Sequence, residues 1–147
     1  MGRALQVLTL SDVAEINHRM IAKFGGIFFQ ANHNLANPGS LEHVLEEIQG
    51  SLFNYTPYPT IFEKAGAIGW RIIVSHVFHD GNKRTGMEAC RLFLELNGYS
   101  MRIDSEVVDM ALAIAIGNVT FIEFVQWIEK RVTKNIHDDN TDVENRI

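Results

Sequence analysis

The chain has 147 residues, 46% apolar and 21% charged, with 13 Lys and Arg against 18 Asp and Glu (net charge −5) and one cysteine. That length supplies one domain whose core needs no metal or disulfide, and the ordinary composition excludes whole-chain disorder. The acidic balance argues against direct nucleic-acid binding; no apolar run nears the ~20 residues of a membrane span, and residues 1–6 lack a signal-peptide pattern, so a cytoplasmic protein is expected.

In chain order, Val13, Ile16, Met20 and Phe24 recur at helical steps and predict an amphipathic helix that stops at Gly25-Gly26. Asn37-Pro38-Gly39 has turn chemistry, and Ser40 is positioned to cap a short helix carrying Leu41, Val44, Leu45 and Ile48. Between residues 51 and 59 the aromatics Phe53, Tyr55 and Tyr58 alternate with polar residues, while Pro57 and Pro59 oppose both a helix and a central strand. An extended flap or edge hairpin is expected there.

Thr60-Ile61-Phe62-Glu63 reads as a capping box, opening a helix with the stripe Phe62, Ala65, Ile68 and Ile72. Residues 87–96 read as a helix apolar on nearly every side, ended by Asn97-Gly98, and such a helix is expected at the centre of a bundle. Another helix is predicted over residues 105–116. Thr120-Phe121-Ile122-Glu123 is a second capping box, followed by Phe124, Val125, Ile128 and Val132. Residues 133–147 are polar and mildly acidic and are expected to be a flexible tail. The reading is all-α: one helical domain over residues 1–132 with a small β-hairpin flap.

One segment does not read as packing: His76-Val77-Phe78-His79-Asp80-Gly81-Asn82-Lys83-Arg84-Thr85-Gly86. It joins two predicted helices and gathers an imidazole base, an oxygen ligand for a hard metal, a glycine, an amide and two cations. A helix N-terminus favours an anion, because its free N–H groups and its dipole both point there. Lys83 and Arg84 are poorly placed for the helix itself, since cations suit the other end. A bound phosphate would absorb their charge. A solvated turn, with Asn82 as cap and Lys83 and Arg84 as surface charge, would explain any three of these residues, but not all of them together. Cys90 falls on the apolar helix and is read as a buried thiol. His79, three residues after His76, has too few nitrogen or sulfur neighbours in sequence to suggest a zinc-type site.

This segment resembles the signature H-P-F-x-[D/E]-G-N-G-R of the Fic/Doc family, and is closer to its death-on-curing (Doc) branch, H-x-F-x-[D/N]-[A/G]-N-K-R. Gly25-Gly26, the stretch Asn37 to Glu42 and the ending Asn97-Gly98-Tyr99 extend the similarity, which covers residues 8–132. The resemblance implies a helical Fic/Doc fold acting with ATP and Mg²⁺ on a protein hydroxyl. By motif position it implies His76 as general base and Asp80 as the Mg²⁺ ligand. It further implies Gly81 and Asn82 as the phosphate nest, with Lys83 and Arg84 beside the phosphates, Arg84 through its planar fork. Phe78 would anchor the loop.

Two departures from the Fic pattern bear on the reaction. Val77 replaces a proline and affects loop stiffness alone. Lys83 replaces a glycine, so a long cation fills space where glycine admits a nucleotide phosphate. In the Doc branch this accompanies a reversed nucleotide that presents its γ-phosphate. The resemblance thus implies a kinase toward serine or threonine, with elongation factor Tu as the family's precedent target and the toxin of a toxin–antitoxin pair as its setting. AMP transfer, and a catalytically idle binding module, are the alternatives. The family aligns target segments on its flap, which implies docking at Tyr55, Thr56 and Tyr58. Neither residues 11–16 nor residues 140–145 match the family's inhibitory helix, so a separate antitoxin is expected.

Overall fold

The computed structural model describes residues 4–50 and 55–135. Along the chain run α1 (Leu10–Phe24), a 3-10 turn (Gln30–Asn32), α2 (Pro38–Glu47), α3 (Ile61–Val74), α4 (Asn82–Leu96), β1 (Tyr99–Ser100), α5 (Ser105–Ala115), α6 (Phe121–Arg131) and β2 (Thr133–Lys134). The all-α reading holds: helices form the domain, and the one sheet among the described residues is the two-residue antiparallel pair β1 and β2. No helix among these residues is long and apolar enough to cross a membrane.

The helix starts show which sequence signals decided the local structure. Thr9 caps α1, its hydroxyl accepting from Asp12 N–H while the Asp12 carboxylate accepts from Thr9 N–H at 2.9 Å. Thr120 and Glu123 form the full reciprocal box expected for α6. The box at α3 is only half made: the Thr60 hydroxyl accepts from Glu63 N–H, but the Glu63 carboxylate accepts from that same hydroxyl instead of from the Thr60 N–H. Ser40 does not cap α2. The helix begins two residues earlier, with Pro38 in its first turn and Asn37 at the cap position, because proline's fixed φ suits a first turn that needs no N–H.

The core is built around α3, which packs against α2, α4, α5 and α6. Ala65, Ala67, Ile68, Ile72 and Ile73 are all buried in it. Gly69 and Gly86 let α3 and α4 cross closely. A Cβ on Gly86 would lie 2.9 Å from the Gly69 carbonyl oxygen and 2.8 Å from Ile73 Cγ1. Residues 87–96, expected to be apolar on every side, are buried on one face only, through Met87, Ala89, Cys90, Phe93 and Leu94. The outer face of α4 carries an ion-pair ladder in which Arg91 bridges Glu88 and Glu95. The most enclosed helix is therefore α3, whose small residues allow neighbours on several sides.

One further expectation changes. The segment from Thr133, read as a flexible tail, opens with β2: Thr133 pairs with Ser100, Lys134 with Tyr99, and Asn135 N–H donates to the Gly98 carbonyl at 2.8 Å. Residues 136–147 lie outside the described residues. Of the expected flap, residues 51–54 lie outside the described residues, and Tyr55 takes part in a β-bridge.

Candidate functional site

The motif segment is the connection between α3 and α4, and backbone pairing fixes its course. Val77 O accepts from both Ala36 N–H (2.8 Å) and Asn37 N–H (2.9 Å), His79 N–H donates to Asn34 O (2.9 Å), and Leu35 bridges Phe78 antiparallel. Val77 and Phe78 are buried, so the loop is anchored through them, as expected for Phe78. His76 and His79 are exposed. The His76 imidazole therefore stands at the surface rim of the loop and not in the core. His79 meets the edge of Phe29, ring centroids 4.8 Å apart.

Asp80 is held from both sides. Its Oδ2 accepts from Ile27 N–H and its Oδ1 from Gly81 N–H, each at 2.8 Å. These two backbone donors, helped by the positive charge of Lys83 and Arg84, keep its carboxyl below the usual carboxylate range. The glycine pair next to α1 explains the approach: at Gly26, with φ +134°, a Cβ would stand 2.8 Å from Asp80 Oδ2. Only glycine lets Ile27 N–H reach the carboxylate by this path.

Gly81 occupies the cap position of α4 in the left-handed region, φ +78°. Having no side chain, it makes no capping bond, so the first-turn amides of α4 stay open toward the loop. Asn82 is the first residue of α4, and its amide does not face an anion. It donates from Nδ2 to Phe78 O at 2.8 Å and accepts at Oδ1 from Phe78 N–H at 2.9 Å. Asn82 therefore closes the loop into a ring, and it does not serve as a cap. Lys83 and Arg84 are exposed in the first turn. The Arg84 guanidinium rests 4.4 Å from the centroid of Phe24, a ring that also receives Lys23 Nζ at 5.3 Å. A ring at the end of α1 thus gathers cations beside the open amides.

Beneath the loop lies a polar network that the sequence reading missed. Asn17, Asn34 and Thr85 are each fully buried. Asn17 Nδ2 donates to Asp80 O (2.9 Å) and to Thr85 Oγ1 (3.0 Å), and Asn17 Oδ1 accepts from Asn34 Nδ2 (3.0 Å). Asn34 also donates to Ile27 O and accepts from Phe29 N–H. Every member is satisfied, which is what makes a buried polar cluster tolerable and rigid. The available signal was Asn17 beside Ile16 on the apolar stripe of α1, a buried-face amide without a local partner in sequence.

Tyr55, Thr56 and Tyr58 belong to the segment before α3. They precede the start of α3, whereas His76 follows its end. Tyr55 and Thr56 are exposed, whereas the half-buried Tyr58 sets its ring edge against Phe121 at 5.8 Å. Lys64 is desolvated beside them, which lowers its pKa, and its ammonium donates to Tyr58 O. Cys90 is wholly buried, and burial alone pushes its thiol up to about 12.

The arrangement joins an exposed imidazole, an ionised carboxylate on a clamped backbone, an uncapped helix start and two cations. A profile of the Fic/DOC family matches residues 7–94, from before α1 to near the end of α4, enclosing every one of these parts. The chain belongs to the Fic/DOC family. Its relatives include Toxin Doc of Mycolicibacterium smegmatis, 30% identical over 83 residues, covering 56% of this chain and 64% of that protein. The chain thus spans a little under two thirds of that relative's length. Protein kinase doc of Escherichia phage P1 is 26% identical over 109 residues, 74% of this chain and 82% of the phage protein.

The donor set suits magnesium. Asp80 is ionised, and each of its oxygens keeps a lone pair beyond the one N–H it accepts. Among the described residues no group of three His, Cys, Asp or Glu could hold a metal. A Mg²⁺ ion bound through one carboxylate, substrate phosphates and water needs no such group.

Proposed function

We propose that this Fic/DOC protein is a Doc-like toxin that transfers the γ-phosphoryl group of ATP to a serine or threonine hydroxyl of a target protein. The observation that carries the reading is the juxtaposition, in one connection, of the exposed His76 and the uncapped start of α4 beside Asp80, Lys83 and Arg84. The likeness to proteins named Toxin Doc and Protein kinase doc supports the toxin and kinase parts of it.

In this reading the open amides of α4, already in place, and the Arg84 fork take phosphate oxygens. Arg84 leaves the Phe24 ring to do so. Asp80 would hold Mg²⁺, which when bound neutralises phosphate charge. The target hydroxyl oxygen bonds to the γ-phosphorus, the bond from that phosphorus to the bridging oxygen breaks, and ADP leaves. His76 accepts the hydroxyl proton, a task suited to an imidazole at neutral pH. Lys83 stands where the Fic pattern has glycine and narrows the nest on that side, which is the basis for assigning γ-transfer over AMP transfer. Elongation factor Tu is the candidate target, a separately encoded antitoxin the candidate partner and the cytoplasm the candidate location.

The test is incubation with elongation factor Tu and ATP labelled separately at the α- and γ-phosphates, for wild type and His76→Ala. Label from the γ position alone, abolished in the variant, is expected. Label from the α position would establish AMP transfer instead, and transfer that survives the alanine change would remove His76 as the base.

A further inference from the structure

Asn37 stands at the cap position of α2, where asparagine is among the favoured residues because its side chain can accept from the first-turn amides. Here it makes no such bond. Its side chain turns the other way, and Nδ2 donates to Ser75 O at 3.0 Å and to His76 O at 3.2 Å, while its own N–H donates to Val77 O at 2.9 Å. One exposed residue of α2 therefore grips three successive carbonyls at the end of α3.

The gripped segment is strained. His76 has φ +47°, one of three non-glycine residues with positive φ among the described residues. It occupies the position after a helix end, with Val77 N–H reaching back to Ile72 O at 3.4 Å, where glycine is the usual choice. A residue other than glycine pays for this conformation, and such a residue persists there only where its surroundings over-determine it. Glycine there would relax the turn but would remove the imidazole. The chain keeps the imidazole and supplies the restraint from Asn37, forgoing a helix cap.

We propose that Asn37 is a positioning residue for His76: it locks the left-handed backbone that holds the imidazole at the rim of the phosphate site. The inference rests on the reading of His76 as the base, and deepens it. Substitution at Asn37 changes the orientation of the base and leaves the nucleotide site, built from α4 and Asp80, intact.

Asn37→Ala and Asn37→Ser are compared with wild type in the γ-label assay, in thermal melts, and by the amide resonances and hydrogen exchange of residues 75–77. In both variants kcat is expected to fall about 10²-fold, as for a displaced catalytic group, with KM for ATP within about twofold. Serine can cap α2, so Asn37→Ser should melt at or above wild type while remaining as slow as the alanine variant. A merely structural role would make stability and rate fall together. In a His76→Ala background, Asn37→Ala should cause no further loss of rate. A kcat within about threefold of wild type overturns the proposal, as does an undiminished effect of Asn37→Ala in the His76→Ala background. Should wild type transfer no label, the kinase reading fails, and the backbone measurement then decides. Shifted resonances and faster exchange at His76 and Val77 in Asn37→Ala support the lock, and unchanged ones refute it.

Discussion

Replacing Asn17 by leucine is the sharpest test of how the site is held. Leucine has a similar size, so the change removes polarity without opening a large cavity. In the folded protein it strips the Asn17 donor from Asp80 O and Thr85 Oγ1, and takes one of two acceptors from Asn34 Nδ2. Both Asn34 and Thr85 are fully buried, so water cannot replace what is lost. Unpaired buried groups cost about 1–3 kcal/mol each, and with Asn34 keeping Ile27 O the sum comes to about 3 kcal/mol. For a domain of this size that corresponds to a fall in Tm of about 6–12 °C. Urea unfolding followed by circular dichroism measures the loss. Hydrogen exchange adds the local readout, because Ile27 and Gly81 amides donate to the Asp80 carboxylate and should exchange faster when its backbone is released. A destabilisation under about 1 kcal/mol, with unchanged exchange at those two amides, would refute the idea that the network is a rigid support.

Three further outcomes follow from the packing and the charges. Gly86→Ala should push α3 and α4 apart, since its Cβ would press on the Gly69 carbonyl and on Ile73; a loss of about 1–3 kcal/mol in urea melts is expected, and a neutral result would contradict the close crossing. Cys90, with its thiol pushed up to about 12 and no exposure, should resist iodoacetamide at pH 8 in the native state and react fully in urea; native-state alkylation detected by mass spectrometry would contradict its burial. Asp104 is held below its ordinary range chiefly by its bond to Arg131, and it also caps α5. A depressed carboxylate contributes stability above its unfolded pKa, and that contribution disappears as pH falls through the folded value. Thermal melts should therefore decline below about pH 4, less steeply in Asp104→Ser, which keeps a cap without the charge; parallel profiles would count against the pair.

Much of this protein is written in local sequence. Caps at Thr60 and Thr120, the stop at Gly25-Gly26 and the apolar stripes of α1 and α6 depend on neighbours within one or two helical turns, so periodicity and capping chemistry locate them. The motif string likewise stands out, because imidazole, carboxylate, glycine and cations lie within nine positions of each other and abut a helix start. Family membership follows from the same string.

The tertiary structure decided what depends on partners distant in the chain. Asn17 and Asp80 are 63 positions apart, and Asn37 and His76 are 39 apart, so no local pattern announces that one supports the other. Asn37 shows the difference well: in sequence it precedes a proline and looks like a turn or cap, yet its amide is taken by carbonyls at the end of α3. The strand made by Thr133 and Lys134 forms only because Tyr99 and Ser100 offer it an edge. Sequence names the motif groups through their side chains. Backbone direction at those groups is set by hydrogen bonds from distant elements, and it is legible only once the chain has folded.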